Sequence, residues 1–346
     1  MRRTALFLTA PLLLTFAASV AVVVSTAADK STKPRRVDPA AWGADHVGKP
    51  LPTYITGDEC LFCHRKIGPA WGANRHQLTI RPAAADEPAI AMLSGLAKAK
   101  KAAGETRYLI GSKRITRYLK RSKDYGKLEL LSTSYHPKGK LRGRDAKPGE
   151  LRNSESPHWD KKTFGDRCAG CHATAVNTKT RAFSATSLDC FACHGDVTLK
   201  HTKDVSRVFL SSKSRNPRRI VSICGQCHLR GGKSKSTGLP YPNTFVAGDN
   251  LFRDFRIDFT SAAIRGLPAV DRHIFLNARD VAVFGRSGTT CLTCHDVHGQ
   301  SSEKHQKLDS AAICASCHVP GTDNGELRPA VLRKNRLRSH SHVCDY

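Results

Sequence analysis

The segment Cys168–His194 reads CAGCH, then seventeen other residues, then CFACH. Each end of this segment places two cysteines three positions apart and a histidine directly after the second cysteine. Positions i, i+3 and i+4 share one face of an α-helix. Two thiols on one face can bond to the two vinyl groups of a haem, with the histidine over its iron. This spacing is therefore the attachment signal for c-type haem.

The CxxCH pattern occurs six times and accounts for twelve of the thirteen cysteines. A single copy could arise by chance or form half of a zinc site, but coincidence does not explain six copies with identical spacing. We therefore predict six covalently attached haem c groups. The cysteines predicted to bind them are Cys60, Cys63, Cys168, Cys171, Cys190, Cys193, Cys224, Cys227, Cys291, Cys294, Cys314 and Cys317. The predicted proximal iron ligands are His64, His172, His194, His228, His295 and His318.

The predicted fold class follows from the ratio of chain to cofactor. The 346 residues leave fewer than 60 for each of six haems, only 7% of the residues are aromatic, and methionine occurs twice. Such a chain is expected to bury much of its apolar surface against porphyrin. We predict a mainly α fold with long loops, packed around its haems, with a small antiparallel β meander inserted in the N-terminal part.

The composition is strongly basic. Lys and Arg number 56 against 29 Asp and Glu, which gives a formal net charge of +27. One interpretation is a solvated surface that keeps the protein soluble. Another is attraction to an acidic redox protein or to an anionic membrane surface, which salt would weaken. No nucleic-acid-binding motif accompanies the scattered basic residues, so no nucleic acid partner is expected.

The first residues predict export. Arg2 and Arg3 precede the apolar run Ala5–Val24, and residues 25–27 (Ser-Thr-Ala) are small enough for signal cleavage. We interpret residues 1–27 as a secretory signal peptide, which predicts a periplasmic or extracellular location. The apolar run is about as long as the ~20 residues that span a bilayer, so an uncleaved N-terminal membrane anchor is the alternative.

The rest of the chain divides into a linker, two haem-binding parts and a tail. We predict a linker over 28–56, an N-terminal part with the first haem and the β meander over 57–160, a multihaem core with five haems over 161–322, and a basic tail over 323–346. Short runs rich in Tyr, Leu, Ile and Thr predict the meander over Arg107–Ser112, Arg114–Arg121 and Lys127–Tyr135. Helices are expected over Ala89–Ala103 and Leu251–Ile264. The tail carries Cys344, which is either idle or a link between two chains.

Motif spacing predicts two close haem pairs. Cys168 and Cys190 are 22 positions apart, and Cys291 and Cys314 are 23 apart. Each pair is joined by one short connection, so its two haems are expected to lie close enough for direct electron exchange.

The second axial position of each iron separates an electron carrier from a catalyst. A side chain in that position leaves the iron able only to pass electrons, whereas an open iron can bind and transform a small molecule. Met92 is the one methionine outside the predicted signal peptide, so other six-coordinate irons would use histidine, which favours low potentials. The predicted distal ligands are His76, His201, His298, His273, His158 and His305. The other four histidines, expected to be solvent-exposed, are His46, His136, His340 and His342.

Three stretches resemble the multihaem cytochromes related to cytochrome c-554. They are CLFCHRKIGPAWGANRH at Cys60–His76, the pair RCAGCHATAVNTKT and LDCFACHGDVTLKH, and CGQCHLRG. The resemblance implies a periplasmic electron carrier with closely packed haem pairs. It also implies that His76 and His201 are distal ligands, each on the haem of another motif. The chain departs from the four-haem pattern by two additional motifs and the β-rich insert, which leaves the assignment of distal ligands open.

Three functions are compatible with these features. The first is an exported hexahaem cytochrome c that relays electrons between redox proteins through mostly bis-histidine haems, and it is our main prediction. The second is a multihaem oxidoreductase of small nitrogen or sulfur compounds with one open haem, for which the sequence indicates no catalytic residue. The third is a subunit of an extracellular haem filament or surface electron conduit. The sequence leaves the oligomeric state open.

Overall fold

The computed structural model describes most of the chain between residues 45 and 299, together with two short strands near the C-terminus. The described residues are 45–112, 114–138, 140–141, 144–145, 147–195, 197, 199–203, 216–285, 290–299, 318–320 and 327–329. All of them belong to one compact unit, Pro34–Tyr346. The predicted signal peptide, most of the predicted linker, Cys314, Cys317 and Cys344 lie outside the described residues.

Short helices separated by loops make up most of the described chain. The α-helices are α1 (Gly57–Cys63), α2 (Gly68–Gly72), α3 (Glu87–Ser94), α4 (Lys100–Glu105), α5 (Ala169–His172), α6 (Cys190–His194), α7 (Pro217–His228), α8 (Ser261–Arg265), α9 (Ala269–Ala282) and α10 (Cys291–Cys294). Single 3-10 turns occur at Arg65–Ile67, Ala83–Ala85, Ala97–Ala99, Leu199–Thr202 and Leu251–Arg253, and a π turn at Phe164–Cys168. None of the helices among the described residues combines the length and the hydropathy needed to cross a bilayer.

A six-stranded antiparallel sheet occupies the N-terminal part. Its strands are β1 (Ile80–Pro82), β2 (Tyr108–Ile110), β3 (Thr116–Arg121), β4 (Leu128–His136), β7 (Glu150–Arg152) and β8 (Trp159–Asp160). The order is β1-β2-β3-β4-β7, and β8 also pairs with β4. The three central strands lie where the sequence predicts the meander, and the sheet extends beyond it on both sides.

Four two-stranded ladders complete the β structure of the described residues. They are β5 (Lys140–Leu141) with β6 (Arg144–Asp145), β9 (Ala173–Thr174) with β10 (Ala185–Thr186), β11 (Lys233–Ser234) with β12 (Phe255–Arg256), and β13 (His318–Pro320) with β14 (Leu327–Pro329). Strand β14 falls within the predicted basic tail, and β13 begins at the predicted sixth proximal histidine.

The two faces of the sheet pack against different parts of the chain. Alternate residues point to opposite faces of a strand. Leu109, Tyr118 and Leu131 pack with buried residues of α3 and α4. Leu119 and Leu130 belong to another cluster, which includes Phe164, Ala169 and Phe183 of the second CxxCH region. The sheet therefore backs the second motif.

A second packing centre lies between α7 and α9. Val221 of α7 and Phe275 of α9 are buried in one cluster with Leu251, Phe255 and Ile264. This cluster fixes the helix that carries the fourth CxxCH motif. Protein side chains thus supply hydrophobic packing of their own on both sides of the motif region.

The helix expected over Ala89–Ala103 is interrupted. Asp86 caps α3 by accepting a hydrogen bond from the N–H of Ala89 over 3.2 Å. The helix ends before Gly95, and Leu96 is extended with φ −89° and ψ 110°. A separate helix, α4, then begins at Lys100, so the prediction of one continuous helix is wrong.

The helix expected over Leu251–Ile264 is also absent. This segment forms a 3-10 turn, then β12, and then the start of α8. Asp254 explains the difference, because its carboxylate accepts hydrogen bonds from Ser234 over 2.5 Å and from the N–H of Ser236 over 3.0 Å. These bonds hold the segment against β11 instead of allowing it to form a helix. The helix α9 was not predicted from the sequence.

Candidate haem-binding sites

Each described CxxCH motif lies on a helix or at its end. The first motif occupies α1, and the N–H of His64 donates to the carbonyl oxygen of Cys60 over 2.9 Å. The third motif is α6 itself, and the fourth forms the last turn of α7. The second and fifth motifs lie on α5 and α10. Helical spacing brings both thiols and the imidazole of such a motif to one side.

Polar side chains begin three of these helices just before the motif. Thr56 accepts a hydrogen bond from the N–H of Glu59 over 3.3 Å at the start of α1. Asp189 accepts from the N–H of Phe191 over 3.0 Å at the start of α6. Thr290 forms a capping box at the start of α10. These caps satisfy backbone donors that a short helix leaves unpaired and hold the attachment residues in helical geometry.

Three pairs of histidine rings lie close together at nearly equal centroid separations. The ring centroids lie 6.1 Å apart for His64 and His201, 6.2 Å for His76 and His228, and 5.9 Å for His194 and His298. One ring of every pair belongs to a CxxCH motif and the other does not. The interplanar angles are 19°, 81° and 8° in the same order.

These separations fit one metal ion between the two rings of each pair. A bond of about 2 Å from a metal to each imidazole nitrogen places the two nitrogens about 4 Å apart and the ring centroids about 6 Å apart. The described chain offers such pairs rather than larger clusters, because nowhere among its described residues do three or more His, Cys, Asp or Glu side chains converge as a metal site. The pairing fits the two axial ligands of a haem iron.

Burial favours the neutral form, which a metal ligand requires, at three motif histidines. Burial, and then the charge of nearby His298, lowers the pKa of His194 to about 4. Burial also lowers the pKa of His172 to about 4, and it lowers the pKa of His228 below its ordinary value. A neutral imidazole keeps a lone pair on one ring nitrogen, which is the atom that binds iron.

Cysteines of different motifs lie side by side. Cys60 of the first motif is a hydrogen-bonding neighbour of Cys190 of the third. Cys171 of the second motif contacts Cys227 of the fourth, and its thiol lies 3.8 Å from the carbonyl oxygen of Gln226. The thiols of the motifs are therefore grouped, and haem edges bonded to them would be neighbours.

The fourth motif has the largest number of neighbouring motifs in the part of the chain described here. Besides Cys227 beside Cys171, its Cys224 is a hydrogen-bonding neighbour of Cys291 in the fifth motif. Cys193 of the third motif is near enough to act electrostatically on both Cys224 and Cys227. The contacts connect the first motif to the third, the third to the fourth, and the fourth to the second and fifth.

The second motif differs from the first, third and fourth. No histidine ring faces His172 among the described residues, and its Nδ1 atom is buried without a hydrogen-bond partner. Tyr241 packs against the backbone of Gly170, where a Cβ atom would overlap the tyrosine ring. The Oη atom of Tyr241 donates to the carbonyl oxygen of Gly165 over 2.6 Å and holds the ring there.

The other predicted distal ligands are placed differently. His158 is exposed, and its Nδ1 atom lies 3.0 Å from the carbonyl oxygen of Ser156, at the edge of the sheet. His273 lies on α9, and its charge adds to the burial that lowers the pKa of His228. His305 lies outside the described residues. The structure thus pairs His76, His201 and His298 with motif histidines and shows no such pairing for His158.

Two histidines expected at the surface are not exposed. His136 is only 2% exposed, and its Nε2 atom lies 3.1 Å from the Oγ atom of Ser134. It is buried because β4 continues through this residue and pairs with β7. His46 is half-buried, with its Nδ1 atom 2.9 Å from the carboxylate of Asp249. The prediction of solvent exposure is therefore wrong for both. His340 and His342 lie outside the described residues.

Sequence reasoning missed residues that hold two motifs together. Tyr54 donates a hydrogen bond to Asp189, and its ring packs edge-on against Phe191 with centroids 5.6 Å apart. Burial raises the pKa of Asp189, and the same carboxylate accepts from the N–H of Gly57 at the start of α1. An Asp directly before CFACH is a recognisable N-cap signal. The sequence carries no signal for the contact between Asp189 and Tyr54.

Residues 285–322 match the family model described as the doubled CXXCH motif. This segment contains the attachment motifs that begin at Cys291 and Cys314. The segment is a doubled haem-attachment motif. The match supports covalent binding of c-type haem by this segment.

The chain is also similar to a solved structure described as an undecaheme cytochrome from the S-layer of Carboxydothermus ferrireducens. The TM-score is 0.42 and the sequence identity is 17%, over 79% of this chain and 44% of that one. The chain thus spans less than half the length of that structure. No curated protein is significantly similar to the chain in sequence.

Proposed function

We propose that this protein is an exported hexahaem c-type cytochrome that relays electrons between redox proteins. The observation that carries the proposal is the set of three histidine pairs at 5.9 to 6.2 Å. Each pair would fill both axial positions of one iron, and a filled iron passes electrons without binding a substrate. Haem c supplies a reversible one-electron iron couple when bound.

The chain's own residues would hold each haem in place. The two thiols of a motif fix the porphyrin covalently, and the proximal imidazole extends from the same helix face. The distal imidazole comes from another segment: His201 for the first motif, His76 for the fourth and His298 for the third. Because each distal ligand crosses to another motif, filling the axial positions also ties separate segments together.

Contacts between motifs support a branched path for the electrons. The first motif would exchange with the third, the third with the fourth, and the fourth with the second and fifth. This order does not follow the sequence order of the motifs. It follows from the neighbouring thiols of Cys60 and Cys190, of Cys171 and Cys227, and of Cys224 and Cys291. Cys193, near Cys224 and Cys227, links the third motif to the fourth.

A reductive titration of the matured protein tests the relay. The protein is produced in a host with a c-type haem maturation system, purified, and reduced stepwise under anaerobic conditions. We expect six electrons per chain and six haems per chain in the pyridine haemochrome assay. Fewer than six haems would contradict the hexahaem assignment.

A second candidate function is catalysis at the second motif. It is favoured by the observation that no described histidine ring faces His172. Six-coordinate ligation at every haem predicts that the reduced protein binds no carbon monoxide. Binding of one carbon monoxide per chain, abolished in a variant that lacks the second attachment motif, would favour the oxidoreductase.

A further inference from the structure

Residues 230–257, after the fourth motif, expose basic side chains and bury their carboxylates, and the exposed Asp258 follows directly. Residues 230–257 contain five basic side chains, all exposed: Arg230, Lys233, Lys235, Arg253 and Arg256. We call these five residues the basic platform. The same segment contains two carboxylates, Asp249 and Asp254, which are only 3% and 6% exposed. The separation of charge is therefore by burial: the acidic groups are inside and the basic groups are outside.

The buried carboxylates have structural partners. Asp254 accepts hydrogen bonds from Ser234 and Ser236, and Asp249 accepts from the N–H of Val246 over 3.0 Å and contacts His46. Neither carboxylate is available to offset the surface cations. Asp45, outside the segment, offsets one of them, because its carboxylate lies 2.9 Å from the Nε atom of Arg253.

The platform includes a pair of like charges that the fold does not need. Lys233 and Arg256 are directly opposite each other in the antiparallel ladder of β11 and β12. Like charges directly opposite each other destabilise such a pair. The ladder is held by other contacts, because Asp254 ties the two strands and Gly232 packs closely against Phe255. Two cations that face each other lower the stability of this ladder. A role in binding an anionic partner explains why both are present.

The platform adjoins the most connected motif. Arg230 follows His228, the proximal histidine of the fourth motif, by two residues. A partner that docks on the platform would therefore lie beside the motif from which the branched path spreads.

We propose that the basic platform is the docking surface for an acidic redox protein, which exchanges electrons with the chain through the fourth motif. This inference rests on the proposed electron-relay function. Complementary charge raises the association rate of two proteins more than their final affinity, and salt removes the effect. The transfer is balanced: the partner loses one electron and one ferric haem becomes ferrous.

A stopped-flow experiment on the full haem-loaded chain tests the docking surface. The probe is flavodoxin hydroquinone, a small acidic flavoprotein that gives up one electron and becomes the semiquinone. The test variant is Lys233→Glu with Lys235→Glu. Loss of fold is not expected, because Lys233→Glu places a carboxylate opposite Arg256. Lys235→Glu removes one exposed hydrogen bond, from the Lys235 Nζ atom to the carbonyl oxygen of Arg253 over 2.9 Å. The matched control is Lys98→Glu with Lys101→Glu, which changes the net charge equally at two exposed positions beside and on α4.

At low ionic strength, we expect the rate of haem reduction in the test variant to be at least about tenfold lower than in the unsubstituted protein. In the control variant this rate should be lower by about twofold at most. The difference should vanish at high ionic strength. Equal slowing in both variants would show that only the net charge matters and would overturn the proposal. Binding to phosphatidylserine vesicles that is lost in the test variant alone, with unchanged electron-transfer rates, would overturn it in favour of a membrane surface.

The haem content separates this proposal from the one on which it rests. Six haems per chain in all three proteins, with equal reduction rates, would contradict the platform and leave the relay standing. A low haem content in the unsubstituted protein would contradict the relay itself.

Discussion

At the scale of single residues, Asp189 connects two haem-attachment helices. Its carboxylate accepts hydrogen bonds from Tyr54, from the N–H of Phe191 in α6 and from the N–H of Gly57 in α1. Its own N–H donates to Thr174 over 3.1 Å. One buried side chain therefore holds the starts of the first and third motifs, whose cysteines are neighbours.

Removing this carboxylate should destabilise the protein. Asp189→Ala leaves buried donors without an acceptor and is expected to cost about 1–3 kcal/mol. Asp189→Asn keeps one oxygen and should cost less. Denaturant unfolding of the haem-loaded protein measures both. The control is Asp124→Ala, at a carboxylate whose side chain is 67% exposed, which should change stability by less than about 0.5 kcal/mol. A similar cost for Asp189→Ala and the control would contradict this role.

The pH dependence of stability should carry the signature of the same residue. Burial raises the pKa of Asp189 above its ordinary value of 3.8, so the native state binds the proton more tightly than the unfolded state. This contribution to stability is fully present below pH 3.8 and is lost as the pH rises through the raised pKa.

Unfolding free energies measured across that pH range should fall more steeply for the unsubstituted protein than for Asp189→Asn, which does not titrate. Parallel curves for the two proteins would mean that Asp189 keeps an ordinary pKa.

At the scale of elements, α5 depends on close contact with Tyr241. The tyrosine ring lies where the Cβ of an alanine at position 170 would be. The contact joins the second motif to the segment 230–257 that carries the basic platform. The sheet backs the same motif from the other side through Leu119 and Leu130, so α5 is enclosed between two segments distant in sequence.

Gly170→Ala should therefore be destabilising. Overpacking a filled contact costs about 1–3 kcal/mol, because either the helix or the tyrosine must move. Gly104→Ala is the matched control, since Gly104 lies in α4 with no atom within 4 Å of an added Cβ. That change should stabilise the helix by about 0.5–1 kcal/mol. The difference in denaturant midpoint between the two variants measures the contrast, and equal effects would contradict the close packing of α5.

Elements differ in how far the sequence reveals them. Turn residues and short apolar runs indicate strands β2, β3 and β4, because these signals are local. The helix is interrupted at Gly95 and the extended Leu96, and the ladder formed by Phe255 depends on hydrogen bonds from Ser234 and Ser236 to the side chain of Asp254. Such hydrogen bonds join positions that no periodic pattern connects, so the pattern alone predicts helix in both places.

At the scale of the whole molecule, the attachment motifs are local signals in the sequence, whereas the pairs of axial ligands depend on tertiary structure. The motifs are local, and the six proximal histidines are named by spacing alone. A distal ligand is brought into place by the tertiary fold: His298 lies 104 positions after His194, whose ring it faces. The resemblance to the cytochrome c-554 relatives names His76 and His201 as distal ligands but leaves their motifs open. The assignment of distal ligands to motifs and the position of the basic platform both depend on the folded chain.

Low-temperature electron paramagnetic resonance of the oxidised, haem-loaded protein tests the ligand pairs most directly. Nearly parallel imidazole planes give a rhombic low-spin ferric signal, whereas nearly perpendicular planes give a low-spin signal with a large maximum g value. The 19° and 8° pairs should give the first kind of signal, and the 81° pair of His76 and His228 should give the second. In His76→Ala, the large-g signal should disappear and a high-spin signal should replace it. A spectrum of the unsubstituted protein without bis-histidine low-spin signals, or a His76→Ala spectrum identical to it, would contradict the account.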